Sequence, residues 1–495
     1  MPCAGESKEA SDISGACAPD KDLRSFLRRL GSSNSDELIS VRRRVDAVHE
    51  LSEVTKRFER LGAPAILFED VDGSHFPVLT GLFGTRQRIA SILGVEPRRA
   101  VREALKRSNE PGSYRVVSDA PVHEVQQLNS EVSLASLPIP VHSRGDAGRY
   151  ITSAVGLVRD PSTGRVNFGI YRLMLLDDRT LTVNVVPGNR LGHILARARN
   201  EGRCVEAAFV IGAAPIFVLA SQAGVGKERD CFELASALAK RTVDVAAGLT
   251  VNLPVPAEAE IVLEGVIDPS RPLVDGPFGE FTNYPGTSLA ATCTVTALTH
   301  RDGAIYHDIH PTHREHRYLW LYPGREAWLL HRLSTIAPCV KEVVIPEFGA
   351  FLVAVLSIAP AHAGDARQAL LAALSCDNMV KYAVALDTDV DAWDAAAVAW
   401  AVAVRTQGDR DLIVVNELSG VHNDPSSSVL GEGNRPDHIT AKVGIDATVS
   451  LASGFPERSD LPAPSFEDLE LRAYVPADVL QRLERRSPST EWVPV

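Results

Sequence analysis

The sequence predicts a multidomain α/β protein (α+β in overall class), with an α/β domain at each end and a strand-rich domain between them. Three observations support this prediction. The chain has 495 residues, more than one ordinary core contains, so two to four domains are expected. Hydrophobic residues make up 45% and charged residues 23%, which is enough apolar material for sizeable cores. The hydrophobic pattern also changes twice along the chain.

The first α/β domain is predicted over residues 21–125, after a small, polar stretch at 1–20 that we predict to be disordered. Its opening helix stops at Gly31 and carries apolar residues at helical spacing: Leu23, Phe26, Leu27 and Leu30. The elements that follow are the strands Ala63–Phe68 and Phe76–Leu79 and the helix Thr85–Leu93, which Gly94 ends.

The strand-rich domain is predicted over residues 126–322. Short runs of Val, Ile, Leu and Thr alternate there with turn residues, which is typical of a β-barrel or sandwich. The predicted strands are Ser153–Val158, Leu173–Leu176, Leu181–Val186, Ala207–Ile211, Ile216–Ala220, Ala259–Gly265 and Thr292–Leu298. One predicted helix, Phe232–Lys240, interrupts them.

The second α/β domain is predicted over residues 323–464, because helices and strands alternate there. They are the helix Arg325–Ala337, the strand Ala350–Ile358, the helix Ala363–Leu374, the strand Tyr382–Asp387, the helix Ala392–Val404 and the strand Leu412–Val415. A charged tail, 465–495, contains a further predicted helix, Ala477–Glu484.

Composition excludes several classes of protein. The net charge of −12 argues against a nucleic-acid binder and against adsorption to an anionic membrane. No apolar run approaches the ~18 residues of a membrane span, and the start of the chain does not resemble a signal peptide. The seven cysteines include no Cys-x-x-Cys pair, so neither a disulfide framework nor a zinc ribbon is expected. A cytoplasmic location fits this pattern best.

The stretch from Asp275 to Glu280 carries the most chemical information. Two carboxylates flank a Gly-Pro-Phe-Gly turn, so both can point into one cavity. Carboxylates placed together repel, which raises the pKa of at least one and suits it to donate a proton near neutral pH. A surface loop with two solvated acids is the alternative interpretation.

Asn167-Phe-Gly-Ile-Tyr-Arg172 forms a second candidate segment. Asn167 offers an amide oxygen to a hard cation, and Arg172 offers a planar fork to a carboxylate. The alternative is an ordinary strand with an exposed arginine. His193 follows a Pro-Gly-Asn-Arg-Leu-Gly loop, and is either a metal ligand or a structural histidine.

Four histidines recur at intervals of three, which suggests either a metal cluster or a set of polar loop residues: His307, His310, His313 and His316. Pro311 lies among them and opposes the regular helix that would align them. We therefore favour loop histidines that line a pocket.

These segments together resemble the UbiD family of decarboxylases, which use prenylated FMN. The resemblance runs from Gly84-x-x-x-Arg88-Ile-Ala-x-x-Leu93-Gly94 to the C-terminal third. Its specific motifs are Asn167-x-Gly-Ile-x-Arg172, Gly276-Pro-Phe-Gly-Glu280 and Thr440-Ala-Lys442-x-Gly-Ile-Asp446-Ala-Thr448. It implies an N-terminal α/β domain, a central split β-barrel that binds flavin, and a C-terminal α/β domain that dimerises.

The resemblance also implies a cofactor site. Prenylated FMN is expected next to Asn167, Gly169, Ile170, Tyr171, Arg172, His193, Ser221, Gln222 and Lys442. A divalent cation, typically Mn2+, is expected between the cofactor phosphate and Asn167, His193 and a glutamate, and K+ is a further candidate ion. Cys231 occupies the register of that glutamate, and a neutral thiol suits a hard cation poorly. Asp230 or Glu233, with Glu228 more distant, are the substitutes.

The catalytic residues that the resemblance implies are Arg172, Asp275 and Glu280. Asp275 stands where the family has a glutamate, so we expect its contact with Arg172 to be long, water-bridged or compensated by the backbone. The implied reaction is the non-oxidative, reversible decarboxylation of an α,β-unsaturated or (hetero)aromatic acid, through cycloaddition to the cofactor, with Glu280 as proton donor.

Two alternatives remain open at this point. One is a UbiD-like protein that binds the cofactor without decarboxylase activity, suggested by Cys231 and Asp275. The other, less favoured, is a metal-dependent hydrolase that uses the His307–His316 series. The expected partners of the decarboxylase are a small carboxylic acid, a UbiX-type flavin prenyltransferase that supplies the cofactor, and further copies of the chain in a homodimer or higher homo-oligomer.

Overall fold

A computed structural model describes residues 20–32, 36–186, 188–226, 228–430, 437–449, 455–456, 458–459 and 470–484. The predicted disordered stretch 1–20 lies outside these residues except for Asp20, as do 465–469 and 485–495 of the predicted tail. The helices are α1 (Leu23–Ser32), α2 (Glu50–Glu59), α3 (Arg86–Leu93), α4 (Pro97–Ser108), α5 (Arg190–Asn200), α6 (Pro215–Ser221), α7 (Cys231–Ala239), α8 (Arg314–Trp320), α9 (Glu326–Ile336), α10 (Asp365–Cys376), α11 (Ala395–Arg405) and α12 (Ala477–Glu484).

The strands are β1 (Leu38–Val41), β2 (Ala65–Phe68), β3 (Val78–Thr80), β4 (Tyr114–Val116), β5 (Val125–Leu128), β6 (Tyr150–Ile151), β7 (Val155–Arg159), β8 (Val166–Ile170), β9 (Leu173–Met174), β10 (Thr180–Val183), β11 (Val205–Ile211), β12 (Val243–Ala247), β13 (Pro254–Pro256), β14 (Ile261–Gly279), β15 (Pro285–His300), β16 (Tyr306–His307), β17 (Val340–Val344), β18 (Val353–Ile358), β19 (Tyr382–Asp387), β20 (Leu412–Ser419), β21 (Ser428–Leu430) and β22 (Asp437–Asp446). The mixture of helices and strands over several sheets confirms the predicted fold class. The predicted domain boundaries stay a prediction.

The central sheet positions the candidate site. Its strands follow the order β10-β15-β14-β11-β7-β8, with β5 beside β15. β14 and β15 are long enough to reach beyond the other strands, at 19 and 16 residues. An isolated bridge between Arg172 and Asn184 joins the chain just beyond β8 and β10, which are the two ends of the strand path. The sheet therefore curls until its edges meet, as in a half-barrel.

Two α/β regions flank the central sheet. In the N-terminal sheet, β1, β2 and β3 are joined by β16, which returns from beyond the central sheet and runs parallel to β3. In the C-terminal sheet the order is β17-β18-β19-β22-β20, with β18, β19 and β22 mutually parallel. A kinked π-helical segment, Leu321–Arg325, connects α8 to α9 and so links the central and C-terminal regions.

One predicted strand is wrong. The run Ile216–Ala220 lies in α6, which begins with Pro215 at its first turn and is buried along its length. A short apolar run between turn residues fits a buried helix as well as a buried strand, and the proline favours a helix start. The sequence pattern also missed α5, so α7 is not the single helix expected in this region.

None of the helices that the structure describes is long and apolar enough to span a membrane.

Candidate active site

Arg172 lies where the two edges of the curled sheet meet. Its guanidinium donates to Glu280 Oε1 at 2.6 Å and also to Asp275. The central carbon of the guanidinium lies 4.4 Å from the centroid of the Phe278 ring. Two carboxylates and an aromatic face hold the guanidinium in one orientation. The structure thus brings together the three residues that the resemblance implies for catalysis.

Asp275 is the inner carboxylate of this group and is fully buried. Besides Arg172, the Thr182 hydroxyl donates to it at 2.5 Å and the Asn184 amide at 3.2 Å. Of the three alternatives expected for the contact with Arg172, the long and the water-bridged ones are wrong, because the contact is direct. Asp275 lies on the irregular part of β14, and three donors, Arg172, Thr182 and Asn184, satisfy its buried carboxylate.

Glu280 is the outer carboxylate and borders a cavity. Burial raises the pKa of its carboxyl, the charge and hydrogen bond of Arg172 lower that pKa, and the charge of Asp275 raises it. Asn423, from the loop after β20, also bonds to Glu280 and lowers its pKa. The pKa remains above the ordinary value for glutamate. Glu280 therefore keeps its proton at a higher pH than an exposed glutamate would, which suits a proton donor.

The Asp275–Glu280 segment is not the tight turn that the sequence predicts. It continues β14 as an irregular strand, in which the pairing with β15 shifts between Asp275 and Phe278. At Gly276, φ is +117°, and a Cβ there would lie 2.6 Å from the Gly286 carbonyl oxygen. Glycine is required at this position because both the backbone conformation and the space exclude a side chain.

Glu280 and Arg172 line a small cavity of about 130 Å³. Its walls are mostly apolar, with the rings of Phe278, Phe281 and Trp320 among them. The other polar groups facing it are Thr152, Asn184, His316, His422 and Asn423. We call this the catalytic cavity.

A larger cavity of about 720 Å³ lies on the other side of Ile170, Val186 and Trp320, which line both. Six residues that the resemblance assigns to the cofactor line it: Asn167, Gly169, Ile170, Tyr171, Ser221 and Gln222. It also receives Arg325 and the end of α10 from the C-terminal region. We call this the large cavity.

Three of the predicted cofactor residues do not line the large cavity, and one of them, Arg172, lines the catalytic cavity instead. His193 is exposed on the first turn of α5, although Asn189 and Arg190 just before it border the cavity. Lys442 is buried on β22, and its ammonium donates to the carbonyls of Leu374 and Asp377. Lys442 therefore fixes the end of α10, which in turn forms part of the cavity wall.

The donors suggested for a divalent metal are largely engaged elsewhere. Asp230 is the N-cap of α7, with one carboxylate oxygen accepting from the Phe232 amide and the other from the Val166 amide. Cys231 is buried in the hydrophobic core, and burial raises the pKa of its thiol well above the ordinary value. A thiol that keeps its proton is a poor ligand for a hard cation.

The remaining candidates do not complete a site. Glu233 borders neither cavity, and its charge acts instead on Tyr114 of β4. Glu228 is exposed. Within the described ranges, no group of three or more His, Cys, Asp or Glu side chains is placed to hold a metal. Asn167 borders the large cavity, but the carboxylate that lines it among the described residues, Asp377, is paired with Arg325, so these residues do not fit Mn2+.

The histidine series does not form a metal cluster either. His307 contacts Glu315 at 3.1 Å, whereas His310 stacks on His313 with ring centroids 3.8 Å apart. Burial lowers the pKa of both His310 and His313 well below the ordinary value. His316 alone borders the catalytic cavity, from α8 rather than from a loop. The hydrolase interpretation therefore has no support in the described geometry.

Several site residues were missed by the sequence analysis. Thr182 and Asn184 lie two positions apart and so face the same side of the chain at β10, which was a usable signal. Asn423 and Arg325 carry no such signal, because only the packing of the C-terminal region brings them to the two cavities.

Three family models match the chain. They are described as the N-terminal, Rift-related and C-terminal domains of 3-octaprenyl-4-hydroxybenzoate carboxy-lyase, at residues 32–108, 115–314 and 320–447. A curated relative, anhydromevalonate phosphate decarboxylase from Methanosarcina mazei, is 32% identical over 432 residues, which cover 86% of this chain and 96% of the relative.

Solved structures give the same assignment. The UbiD-class enzyme HmfF from Pelotomaculum thermopropionicum, in complex with FMN, superimposes with a TM-score of 0.85 at 36% identity, covering 92% of this chain and 100% of HmfF. An evolved dimeric form of HmfF in complex with prFMN gives a TM-score of 0.81 at 35% identity, with the same coverage.

Proposed function

The chain belongs to the UbiD family of carboxy-lyases, and we propose that it catalyses the non-oxidative, reversible decarboxylation of an α,β-unsaturated or (hetero)aromatic acid with prenylated FMN in the large cavity. The observation that carries this proposal is the Arg172 guanidinium, held between Asp275 and Glu280 beside a small cavity that adjoins a large one. A proton donor with a raised pKa and a cation for a carboxylate are what this reaction needs.

The large cavity supports the cofactor assignment by its size and by its lining. About 720 Å³ lies within the roughly 300–1,000 Å³ of sites for ligands of this size. HmfF holds FMN in one structure and prFMN in another. When bound, prenylated FMN supplies the electron sink that makes loss of CO2 feasible. The shared wall at Ile170, Val186 and Trp320 is where the cofactor and the substrate would meet.

The residues of the catalytic cavity take the following roles. Asp275 and the Thr182 and Asn184 donors behind it keep Arg172 in place. The guanidinium has five N–H groups, of which the two carboxylates take two, so donors remain for the carboxylate of the substrate. Glu280 delivers a proton to the carbon that has lost CO2, and the apolar walls limit access of water to that carbon.

The partners follow from this function. A UbiX-type flavin prenyltransferase would supply the cofactor, and the dimeric form of HmfF supports a homodimer or higher homo-oligomer. A cofactor-binding protein without decarboxylase activity is the alternative. Cys231 favours this alternative. Asp275, the other residue that suggested it, no longer does so because it contacts Arg172 directly.

The test is to purify the chain from cells that also express a flavin prenyltransferase. We expect the absorbance and mass of prenylated FMN in the bound fraction, and CO2 release from at least one unsaturated or aromatic acid. Bound flavin without CO2 release from any acid supports the alternative, and absence of any bound flavin contradicts both.

The donor set predicts that cofactor binding does not depend on a divalent metal. We expect the affinity for FMN, measured by quenching of flavin fluorescence, to change less than about 2-fold when EDTA replaces Mn2+, because Asp377, the carboxylate lining the large cavity among the described residues, is already paired with Arg325. Metal analysis of the purified complex should give well under one equivalent. A large loss of affinity in EDTA that Mn2+ restores would contradict this prediction.

Replacing Asn423 is predicted to change the pH dependence of kcat. In Asn423→Leu a similar volume remains but the hydrogen bond that lowers the pKa of Glu280 is lost, so that pKa rises further. Activity that needs protonated Glu280 falls as pH rises through its pKa, so the falling limb of kcat should move to higher pH. Asn378→Leu, which alters the large cavity instead, should leave that limb in place. An unchanged limb in Asn423→Leu contradicts the assignment.

A further inference from the structure

We propose, on the premise of the function above, that Lys381 is a positioning residue of the active site, because its buried ion pair with Asp424 fixes a loop that forms part of the catalytic cavity. This loop, residues 420–427, leaves the end of β20 and returns as β21. It belongs to the C-terminal region and carries His422 and Asn423, which line the cavity.

Asp424 gives the 420–427 loop its shape. One of its carboxylate oxygens accepts from the backbone amide and from the hydroxyl of Ser426, at 3.1 and 2.8 Å. Its backbone carbonyl accepts from the Ser427 hydroxyl at 2.8 Å. At the end of the loop, that hydroxyl also lies 2.9 Å from Nδ1 of His438 on β22. These bonds order the loop, and Asp424 is their centre.

Lys381 joins the middle of the loop to the sheet. Its ammonium donates to the second Asp424 oxygen at 2.8 Å and to the Ser426 hydroxyl at 2.5 Å. Its backbone is held on two sides, since its amide donates to the Leu352 carbonyl and its carbonyl accepts from the Val443 amide. The paired side chains of Lys381 and Asp424 are only 14% and 5% exposed. Solvent and salt therefore weaken this pair less than a surface pair.

The position of Asp424 matters because Asn423 directly precedes it. The Asn423 side chain bonds to Glu280, the proton donor on the central sheet. Neighbouring Cα atoms are about 3.8 Å apart, so a displacement of Asp424 is passed on to Asn423. Through this chain of contacts, an ion pair in the C-terminal region sets a hydrogen bond that acts on the proton donor.

Other groups also act on Glu280. Among the described residues, the further charged or titratable groups lie in the wall of the catalytic cavity or behind it: Arg172, His316, His422 and Asp275. His422 shares the 420–427 loop with Asn423, so a test of the ion pair has to separate these two residues.

The test replaces each partner of the ion pair and records kcat against pH on flavin-loaded enzyme. In Lys381→Met and in Asp424→Asn, Asn423 should no longer be held on Glu280, so the falling limb of kcat should move to higher pH, as in Asn423→Leu. We expect kcat/KM to fall by about 10- to 100-fold. Lys381→Arg keeps the charge and should restore most of both quantities. Lys381→Met combined with Asn423→Leu should move the limb no further than Asn423→Leu alone, because both changes remove the same hydrogen bond.

Two substitutions in the same region serve as matched controls. Lys341 of β17 donates to the Pro338 carbonyl, and Asp389 pairs with Arg405, and neither residue lines either cavity. Lys341→Met and Asp389→Asn should therefore leave the limb in place. Asp424→Asn keeps an acceptor for Ser426, and it carries the test if Lys381→Met fails to fold. Bound flavin should be equal in all variants, because the ion pair does not line the large cavity.

Hydrogen exchange tests the anchor without turnover. The amides of the 420–427 loop should exchange about 10-fold faster or more in Lys381→Met and Asp424→Asn than in Lys341→Met. Unchanged exchange, an unchanged limb in both variants, or an additional shift in the combined variant would overturn the inference. Absence of bound flavin or of CO2 release in the unsubstituted chain would instead overturn the proposed function, and the exchange rates would still decide whether Lys381 fixes the loop.

Discussion

Replacing Glu280 with Gln is expected to lower the rate of CO2 release by about 10²–10⁴-fold, the usual contribution of a general acid, while the chain still binds its cofactor. Glutamine keeps the shape of the side chain and can still accept a hydrogen bond from Arg172, but it has no acidic proton to give. Cofactor binding should persist because Glu280 lines the catalytic cavity and not the large one.

CO2 release and flavin absorbance are both measured on the same preparation of each variant. Glu228→Gln is the matched control, because Glu228 is an exposed glutamate near α7, and its replacement should change neither quantity. A second comparison uses Asp275→Asn, which removes a buried charge from Arg172. That variant should lose activity as well, but through misplacement of the guanidinium, so that KM rises along with the loss of kcat. Full activity of Glu280→Gln would refute the role of Glu280 as proton donor.

The sequence made Arg172 and Glu280 recognisable because each lies in a short motif whose residue types match the chemistry. It could not show that Asp275 reaches Arg172 directly, since that depends on where an irregular β14 places its backbone. It also could not show that both oxygens of Asp230 are used, because an N-cap and a contact with Val166 become visible only when α7 packs on β8.

The fold, like the site, was predictable where the sequence carries local signals and not where tertiary packing decides. Helices with clear stop signals were predicted closely: Thr85 caps α3 and Gly94 ends it in a left-handed conformation, as the sequence indicates. The continuous apolar run in α6 was ambiguous from the start, because period alone does not separate a buried helix from a buried strand. The meeting of β8 and β10 at Arg172 and Asn184 is a tertiary property, and it is what gathers the site.

The second large effect concerns stability. Glu326→Ala is expected to lower the free energy of unfolding by about 3–5 kcal/mol, because it leaves a buried arginine without its counter-charge. Arg86 of α3 donates to both carboxylate oxygens of Glu326 on α9, at 2.6 and 3.1 Å, and Glu326 is fully buried. The guanidinium also packs on Tyr322 and Trp393, at 4.5 and 4.6 Å from their ring centroids.

This ion pair joins the N-terminal and C-terminal regions, so its loss should also weaken their association. A matched control exists at the same junction: Arg98 of α4 pairs with Asp391 at 2.7 Å, but the two side chains are 57% and 45% exposed. Asp391→Ala should therefore cost no more than about 1 kcal/mol. Urea unfolding, followed by tryptophan fluorescence, measures the free energy of unfolding of both variants. If more than one transition appears, the first transition of each variant is compared.

Equal losses of unfolding free energy in Glu326→Ala and Asp391→Ala would show that burial does not determine how much an ion pair stabilises this junction. Glu326→Gln separates charge from shape, since it keeps an acceptor for Arg86 and for the Ile345 amide that Glu326 also binds. An intermediate loss for Glu326→Gln indicates that hydrogen bonds to Arg86 and to the Ile345 amide recover part of the stability without the negative charge. A loss as large as that of Glu326→Ala indicates that ionisation of Glu326 itself is required, despite the burial that raises its pKa.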